Sequence, residues 1–160
     1  FINQNGETVS QKTFDGKIYV ANFFFASCPG VCPKMTDEVK KVQDEFKEND
    51  NVLFISHTVD PEHDSLPALK AFAEKHGADL RQWYFVTGNR DSIYDLAIKG
   101  YLVPAAEDAR AEGGFLHSQD LLLIDKEKRI RGIYDSMEPE EIKRLTDEIK
   151  VLLYEYKIKK

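Results

Sequence analysis

The chain reads KIYVANFFFASCPGVCP from Lys17 to Pro33, and this stretch decides the fold. Residues 17–25 are almost continuously apolar and rich in aromatic side chains, as in a strand that is buried on both faces of a sheet. Cys28 and Cys32, the only cysteines of the chain, follow at once, each with a proline after it. Proline is tolerated in the first turn of a helix. The stretch therefore predicts a central strand that passes directly into a helix carrying two thiols.

Strands and helices are predicted to alternate on both sides of this stretch. The pair Asn5-Gly6 indicates a short hairpin at the start of the chain. Ser65 can cap a helix that Gly77 ends, and the segment from Tyr101 to Phe115 is predicted to be a long connection. The other predicted elements are a helix over 34–49, strands over 52–59 and 83–87, a helix over 91–99, a hairpin of strands 119–125 and 129–134, and a helix from Pro139.

This order of elements is that of an α/β protein with a thioredoxin-like fold. We expect a central β-sheet of mixed direction, helices on both of its faces, and an N-terminal β-hairpin that covers one edge. With 160 residues, the chain is expected to be a single domain over residues 1–160.

Charge and hydropathy argue against a nucleic acid partner and against a membrane-spanning helix within the sequence as given. The net charge is −6, with basic and acidic residues interleaved, which argues against nucleic acid binding. The longest apolar stretch is far shorter than the roughly 20 residues that span a membrane. Because the sequence begins at Phe1 without Met or a leader, we expect that an N-terminal leader or membrane anchor is absent from it.

The predicted topology gathers polar residues at one edge of the sheet. Parallel strands 18–25 and 52–59 should end at the same edge, where open α/β sheets place their sites. Cys28, Cys32 and Asp60 then lie along it. If the strand from Gln119 runs antiparallel, it begins there too and brings His117 close to the cysteines.

The two cysteines can form a disulfide or hold a soft metal ion. A helix N-terminus favours thiolate, which is both the nucleophile and the metal-binding form. Two thiolates and the imidazole of His117 would suit Cu(I), and also Cu(II) or Zn(II). The alternatives are that Cys28 and Cys32 are inert packing residues and that His117 is a loop residue without a function.

Other polar residues are given structural roles. His57 lies inside a strand and is interpreted as a hydrogen-bonded core residue, His63 as a loop residue, and His76 as the end of a helix. Asp60 and Asp64 are interpreted mainly as turn residues. A role for Asp60 in orienting a ligand or a partner stays open.

At these residues the chain resembles the Sco/SenC family of copper-binding, thioredoxin-like proteins. The resemblance rests on Gly16-Lys17 before the strand, the Cys28-Pro29-x-x-Cys32-Pro33 motif, the Asp60-Pro61-x-x-Asp64 loop, and His117 before a strand. Two positions depart from many relatives. Leu116 stands where an acidic residue often precedes the histidine, and Ser27 stands where a histidine or an asparagine-like polar residue is frequent.

The resemblance implies a copper metallochaperone with Cys28, Cys32 and His117 as ligands. It would deliver copper to the dinuclear copper site of cytochrome c oxidase subunit II, or keep the cysteines of that site reduced. Another copper or thiol protein is the alternative partner. The domain would be held by an N-terminal anchor at the periplasmic face of the bacterial inner membrane, or lie in the mitochondrial intermembrane space.

The competing hypothesis is a thiol-disulfide oxidoreductase in which Cys28 and Cys32 form the catalytic redox pair without an obligatory metal. Thioredoxins carry CxxC rather than this CxxxC, and a Pro where His117 stands. A peroxiredoxin would have Thr or Ser three residues before its reactive cysteine, and Pro29 occupies that position relative to Cys32. A thiol-disulfide reductase of neither class is the alternative function, because the same two sulfurs must be reduced before they can hold Cu(I).

Overall fold

The structure is a computed structural model that describes residues 1–24, 26, 31–47, 49–100 and 119–158. For residues 11, 31, 32, 157 and 158 it describes the backbone alone. The predicted connection from Tyr101 to Phe115 lies outside the described residues. The elements are β1 (Ile2–Asn3), a 3₁₀ turn (Gln11–Phe14), β2 (Ile18–Phe24), α1 (Val31–Glu45), β3 (Val52–Thr58), α2 (Leu66–Lys75), β4 (Trp83–Thr87), α3 (Arg90–Asp95), a π-helical turn (Leu96–Gly100), β5 (Asp120–Ile124), β6 (Ile130–Asp135) and α4 (Pro139–Ile158).

The strands of the described residues form one mixed sheet in the order β1-β4-β3-β2-β5-β6. The three strands β2, β3 and β4 are parallel neighbours, whereas β1, β5 and β6 pair antiparallel. Every residue of β2 and of β3 is buried, as their apolar runs predict for strands covered on both faces. The predicted mixed sheet is confirmed.

Helices cover both faces of the sheet. Successive side chains of a strand point to opposite faces, and Phe24 of β2 stacks on Phe72 of α2 at 4.9 Å between ring centroids. His76 at the end of α2 contacts Asp37 of α1, so these two helices share a face, as expected for right-handed crossovers between the parallel strands β2, β3 and β4. α4 packs against α1. On the opposite face, Tyr19 of β2 packs against Phe14 at 4.6 Å.

The predicted N-terminal hairpin is present. The Asn3 carbonyl accepts the Gly6 N–H at 2.9 Å, and Ile2 pairs antiparallel with Thr8. Gly6 has φ +78°, a conformation that glycine adopts without a steric penalty. The first arm of the hairpin, β1, adds to β4 and so occupies an edge of the sheet.

Two helices differ from their predicted bounds. α1 begins at Val31 rather than Lys34. Pro33 fits in the first turn, because backbone N–H groups there make no hydrogen bond within the helix and proline has none to donate. The predicted helix over 91–99 divides into α3 and the π-helical turn. Within the described part of the chain, no helix has the length and apolarity to cross a membrane.

Candidate metal centre

Three strand ends meet at the edge of the sheet that the sequence indicates. Phe24, the last residue of β2, pairs with Thr58, the last residue of β3, in parallel register. β5 runs antiparallel to β2, with Ala21 opposite Leu122, so its first residue Asp120 lies at the same edge. The conditional prediction that this strand is antiparallel is confirmed.

The predicted ligands follow these strand ends along the chain. The backbone of Cys32 lies in the first turn of α1, which begins at this edge after β2. Cys28 and His117 lie outside the described residues. In the described parts of the chain, no group of three or more His, Cys, Asp or Glu side chains is arranged to hold a metal ion. The ligand set of Cys28, Cys32 and His117 therefore stays a prediction.

The start of α1 is electrostatically suited to a thiolate. Its 15 residues align their peptide dipoles, and its first turn carries no acidic residue. The N-terminus of such a helix has a partial positive charge that stabilises an anion by about 0.3–1 kcal/mol. A helix N-terminus of this kind favours the ionised form of a thiol.

Asp60 orients an exposed histidine at this edge. The carboxylate of Asp60 is buried, and its two oxygens lie 2.9 and 3.1 Å from Nδ1 of His63. The His63 side chain is 76% exposed. The hydrogen bond and the negative charge of Asp60 raise the pKa of His63 above its ordinary value. The role of Asp60 in orienting a ligand or a partner stays a prediction.

Asp64 is more than the turn residue that its sequence context indicates. Its carboxylate is buried, and Oδ2 accepts hydrogen bonds from the Ala26 N–H at 2.9 Å and from the Thr58 hydroxyl at 2.6 Å. Sequence reasoning missed this contact, because it joins residues 38 positions apart. The only local signal is an acidic residue that follows a buried strand within a few positions, and that pattern is also typical of turns.

The two other described histidines lie in structural positions. His57 is buried, as predicted, with Nδ1 3.1 Å from the Asn22 carbonyl oxygen. Burial lowers its pKa to about 4, so it is neutral at physiological pH. His76 caps the end of α2, and its Nδ1 lies 2.7 Å from the Asp37 carboxylate of α1.

Comparison with known proteins identifies the family. The SCO1/SenC family model matches residues 1–153. The chain belongs to the SCO1/SenC family. It is 31% identical over 140 residues to the SCO1 protein homolog of Bacillus subtilis. The aligned segment covers 86% of this chain and 72% of that protein.

Solved structures of this family share the fold. A SCO1/SenC family lipoprotein from Bacillus anthracis matches with a TM-score of 0.83 and 30% identity, over 96% of this chain and 91% of that one. BsSco, described as a member of the Sco family of cytochrome c oxidase assembly proteins with a disulfide switch, matches with a TM-score of 0.82 and 28% identity, over 95% and 89%. The predicted thioredoxin-like fold is confirmed.

Structural relatives have been solved with copper bound. The structure of Arabidopsis thaliana ScoI with copper bound matches with a TM-score of 0.75 and 25% identity, covering 97% of this chain and 95% of that chain.

Proposed function

We propose that this protein binds copper as cargo through Cys28, Cys32 and His117 and acts in the assembly of cytochrome c oxidase. The observation that carries the proposal is the meeting of three strand and helix ends at one edge. The end of β2, the first turn of α1 and the start of β5 lie there, and each adjoins a predicted ligand in sequence. Copper-bound and oxidase-assembly proteins within the same family support it.

The donor set fits copper on chemical grounds. Thiolate sulfur is a soft ligand that selects Cu(I), and two thiolates suffice to hold this ion. Imidazole adds a nitrogen donor that Cu(II) prefers. The helix N-terminus at Cys32 favours the ionised thiol that copper requires. The recipient in this proposal is the dinuclear copper site of cytochrome c oxidase subunit II.

Thiol-disulfide exchange is the second candidate function, and the position of Cys32 in the first turn of α1 favours it. In this reaction, one thiolate of the Cys28 and Cys32 pair attacks a disulfide of the partner, and the other then resolves the mixed disulfide. Two thiols of this protein become a disulfide, and the partner gains two electrons and two protons. Such a reaction could keep the thiols of the oxidase copper site reduced.

We also propose that residues 1–160 form a single domain attached to a membrane on its extracytoplasmic side. In a bacterium this is the periplasmic face of the inner membrane, and in a eukaryote it is the intermembrane space of the mitochondrion. The description of the Bacillus anthracis relative as a lipoprotein supports the attachment.

The test of copper binding compares the reduced and oxidised domain. The reduced protein should bind one Cu(I) in competition with a chelator, and the Cys28–Cys32 disulfide form should not, because only thiolates are soft donors. The Cys32→Ser variant should lose most of this affinity, whereas His63→Ala, which removes an exposed imidazole at the same edge, should keep it. Equal copper retention after complete oxidation, verified by mass, would refute the proposal.

The same proteins separate the two candidate functions. A copper carrier should transfer Cu(I) to an apo fragment of oxidase subunit II whose thiols are already reduced. A reductase should act only on the oxidised fragment and should do so without copper. Reduction of the oxidised fragment combined with no copper binding would favour the second function.

A further inference from the structure

A buried carboxylate joins the predicted copper-binding segment to the end of the neighbouring strand. Oδ2 of Asp64 accepts hydrogen bonds from the Ala26 N–H and from the Thr58 hydroxyl, at 2.9 and 2.6 Å. Ala26 lies two residues before Cys28 in the sequence, and Asp64 is only 3% exposed. A buried carboxylate is costly unless it is hydrogen-bonded, so this arrangement holds all of its partners in place.

The group that accepts these bonds is itself fixed. The Asp64 N–H donates to the Asp60 carbonyl at 2.9 Å, and the Asp60 N–H donates to Thr58 Oγ1 at 3.0 Å. Thr58 is the last residue of β3 and is fully buried. Asp64 is thus anchored to the central sheet on one side and contacts the residue after β2 on the other.

Formation of the local turn does not require this carboxylate. The turn over 60–64 is closed by backbone bonds from the N–H groups of His63 and Asp64 to the Asp60 carbonyl. The side chain of Asp60 faces His63 instead. The hydrogen bond between Ala26 and Asp64 therefore has a role other than closing this turn. Such a bond fixes the position of the segment that leaves the strand.

We propose that Asp64 is a positioning residue for copper binding. By fixing the Ala26 amide relative to β3, it limits the positions that the following chain can take and so preorganises the thiols of Cys28 and Cys32. The inference rests on the proposed copper function. Groups that orient metal ligands typically account for about 10–100-fold in metal affinity.

The experiment compares three variants for Cu(I) affinity by chelator competition. Asp64→Ala removes both hydrogen bonds and should weaken Cu(I) binding by about 10–100-fold. Asp64→Asn keeps a carbonyl oxygen that can accept from Ala26 and Thr58, so it should stay near the wild-type affinity. This rescue separates acceptor geometry from the carboxylate charge.

Asp125→Ala is the matched control for general loss of stability. Asp125 is 1% exposed, and its Oδ1 accepts the N–H groups of Glu127 and Arg129, each at 2.9 Å. It follows Ile124, which pairs with Tyr19 near the start of β2, so it lies at the opposite edge of the sheet. Its loss should destabilise the fold and leave the Cu(I) affinity of the folded protein unchanged.

A second variant and a direct measurement keep the test decisive. If Asp64→Ala does not fold, Thr58→Val serves instead, because it removes one of the two donors to Asp64. Its loss of Cu(I) affinity should be less than 100-fold but larger than the loss in Asp125→Ala. Amide exchange of Ala26 should be slow in the wild type and faster in the Asp64 or Thr58 variant.

The outcomes distinguish this inference from the copper function itself. Equal Cu(I) affinity of folded Asp64→Ala and wild type, or equal losses in Asp64→Ala and Asp125→Ala, would overturn the positioning role while copper binding stands. Absence of Cu(I) binding by the reduced wild type would overturn the proposed function and the copper part of this inference together. Unchanged exchange of Ala26 in the variant would refute its structural premise.

Discussion

Acid should destabilise this protein through His57, and His57→Phe should remove that effect. His57 is 1% exposed, stacks on Phe23 at 4.7 Å and lies 5.7 Å from the ring of Phe1. Burial lowers its pKa from 6.5 to about 4, and its hydrogen bond to the Asn22 carbonyl partly offsets this effect. The folded protein therefore keeps this ring neutral while the unfolded chain protonates it.

The size and sign of the effect follow from the two pKa values. Between pH 6.5 and about 4 the unfolded state binds one more proton at this residue than the folded state, so stability falls as the pH falls. At about 1.4 kcal/mol per unit of pKa, the full shift corresponds to about 3 kcal/mol. This is a large part of the 5–15 kcal/mol that is typical of the stability of a domain.

The assay is urea unfolding followed by the fluorescence of Trp83, the only tryptophan and fully buried, at pH values from 7.5 to 4. Phenylalanine preserves the stacking on Phe23 and cannot titrate. Carboxylates titrate in both proteins and cancel in the difference. The stability difference between wild type and His57→Phe should shift by about 3 kcal/mol in favour of the variant over this range.

His63→Ala is the control, because His63 has the opposite linkage. Its raised pKa gives a contribution that is present at low pH and lost as the pH rises through the folded value. Its removal should leave the acid loss of stability in place. Parallel pH profiles of wild type and His57→Phe would refute the assignment of acid sensitivity to His57.

Three further changes have defined outcomes. His117→Ala should lower Cu(II) affinity much more than Cu(I) affinity, since two thiolates hold Cu(I) alone; identical titrations of both ions in variant and wild type would exclude His117 as a ligand. Asp60→Asn should lower the pKa of His63 towards its ordinary value in an NMR titration, because the hydrogen-bonded anion is lost; an unchanged pKa would contradict the pairing. Phe72→Ala should cost about 3–5 kcal/mol in urea unfolding, because the ring is buried against Phe24. Tyr154→Ala, at an exposed position, should change stability by less than about 0.5 kcal/mol, and equal losses would refute the packing argument.

The strands could be predicted from the sequence because their burial is uniform. β4 occupies the predicted residues 83–87, β3 ends one residue before the predicted 52–59, and β2 lies within the predicted 18–25. A strand covered on both faces must be apolar throughout, and turn residues interrupt the run at its ends. The cap of α2 was equally clear, since Ser65 accepts the Ala68 N–H and Gly77 follows with φ +70°.

Helix ends and side-chain contacts between distant segments were harder to predict from the sequence. The division of α3 from the π-helical turn at Leu96 changes hydrogen bonding without changing the apolar pattern, so periodicity gives no signal for it. The contact of Asp64 with Ala26 depends on how two loops meet in space. Sequence spacing predicts the local turn at Asp64, which is present, but it gives no signal for the hydrogen bond of the Asp64 side chain to Ala26.

The two proposed copper determinants should be separable by the oxidation state of the ion. His117 would contribute a donor atom, and donors differ in their preference for Cu(I) and Cu(II). Asp64 would contribute through the placement of the chain before Cys28, and the sulfurs belong to the ligand set of both ions. Asp64→Ala should therefore weaken Cu(I) and Cu(II) binding by similar factors, whereas His117→Ala should weaken mainly Cu(II). Competition titrations of both ions on both variants measure this directly. A selective loss of Cu(II) alone in Asp64→Ala would mean that Asp64 acts on the imidazole or on the metal charge rather than on the position of the thiols.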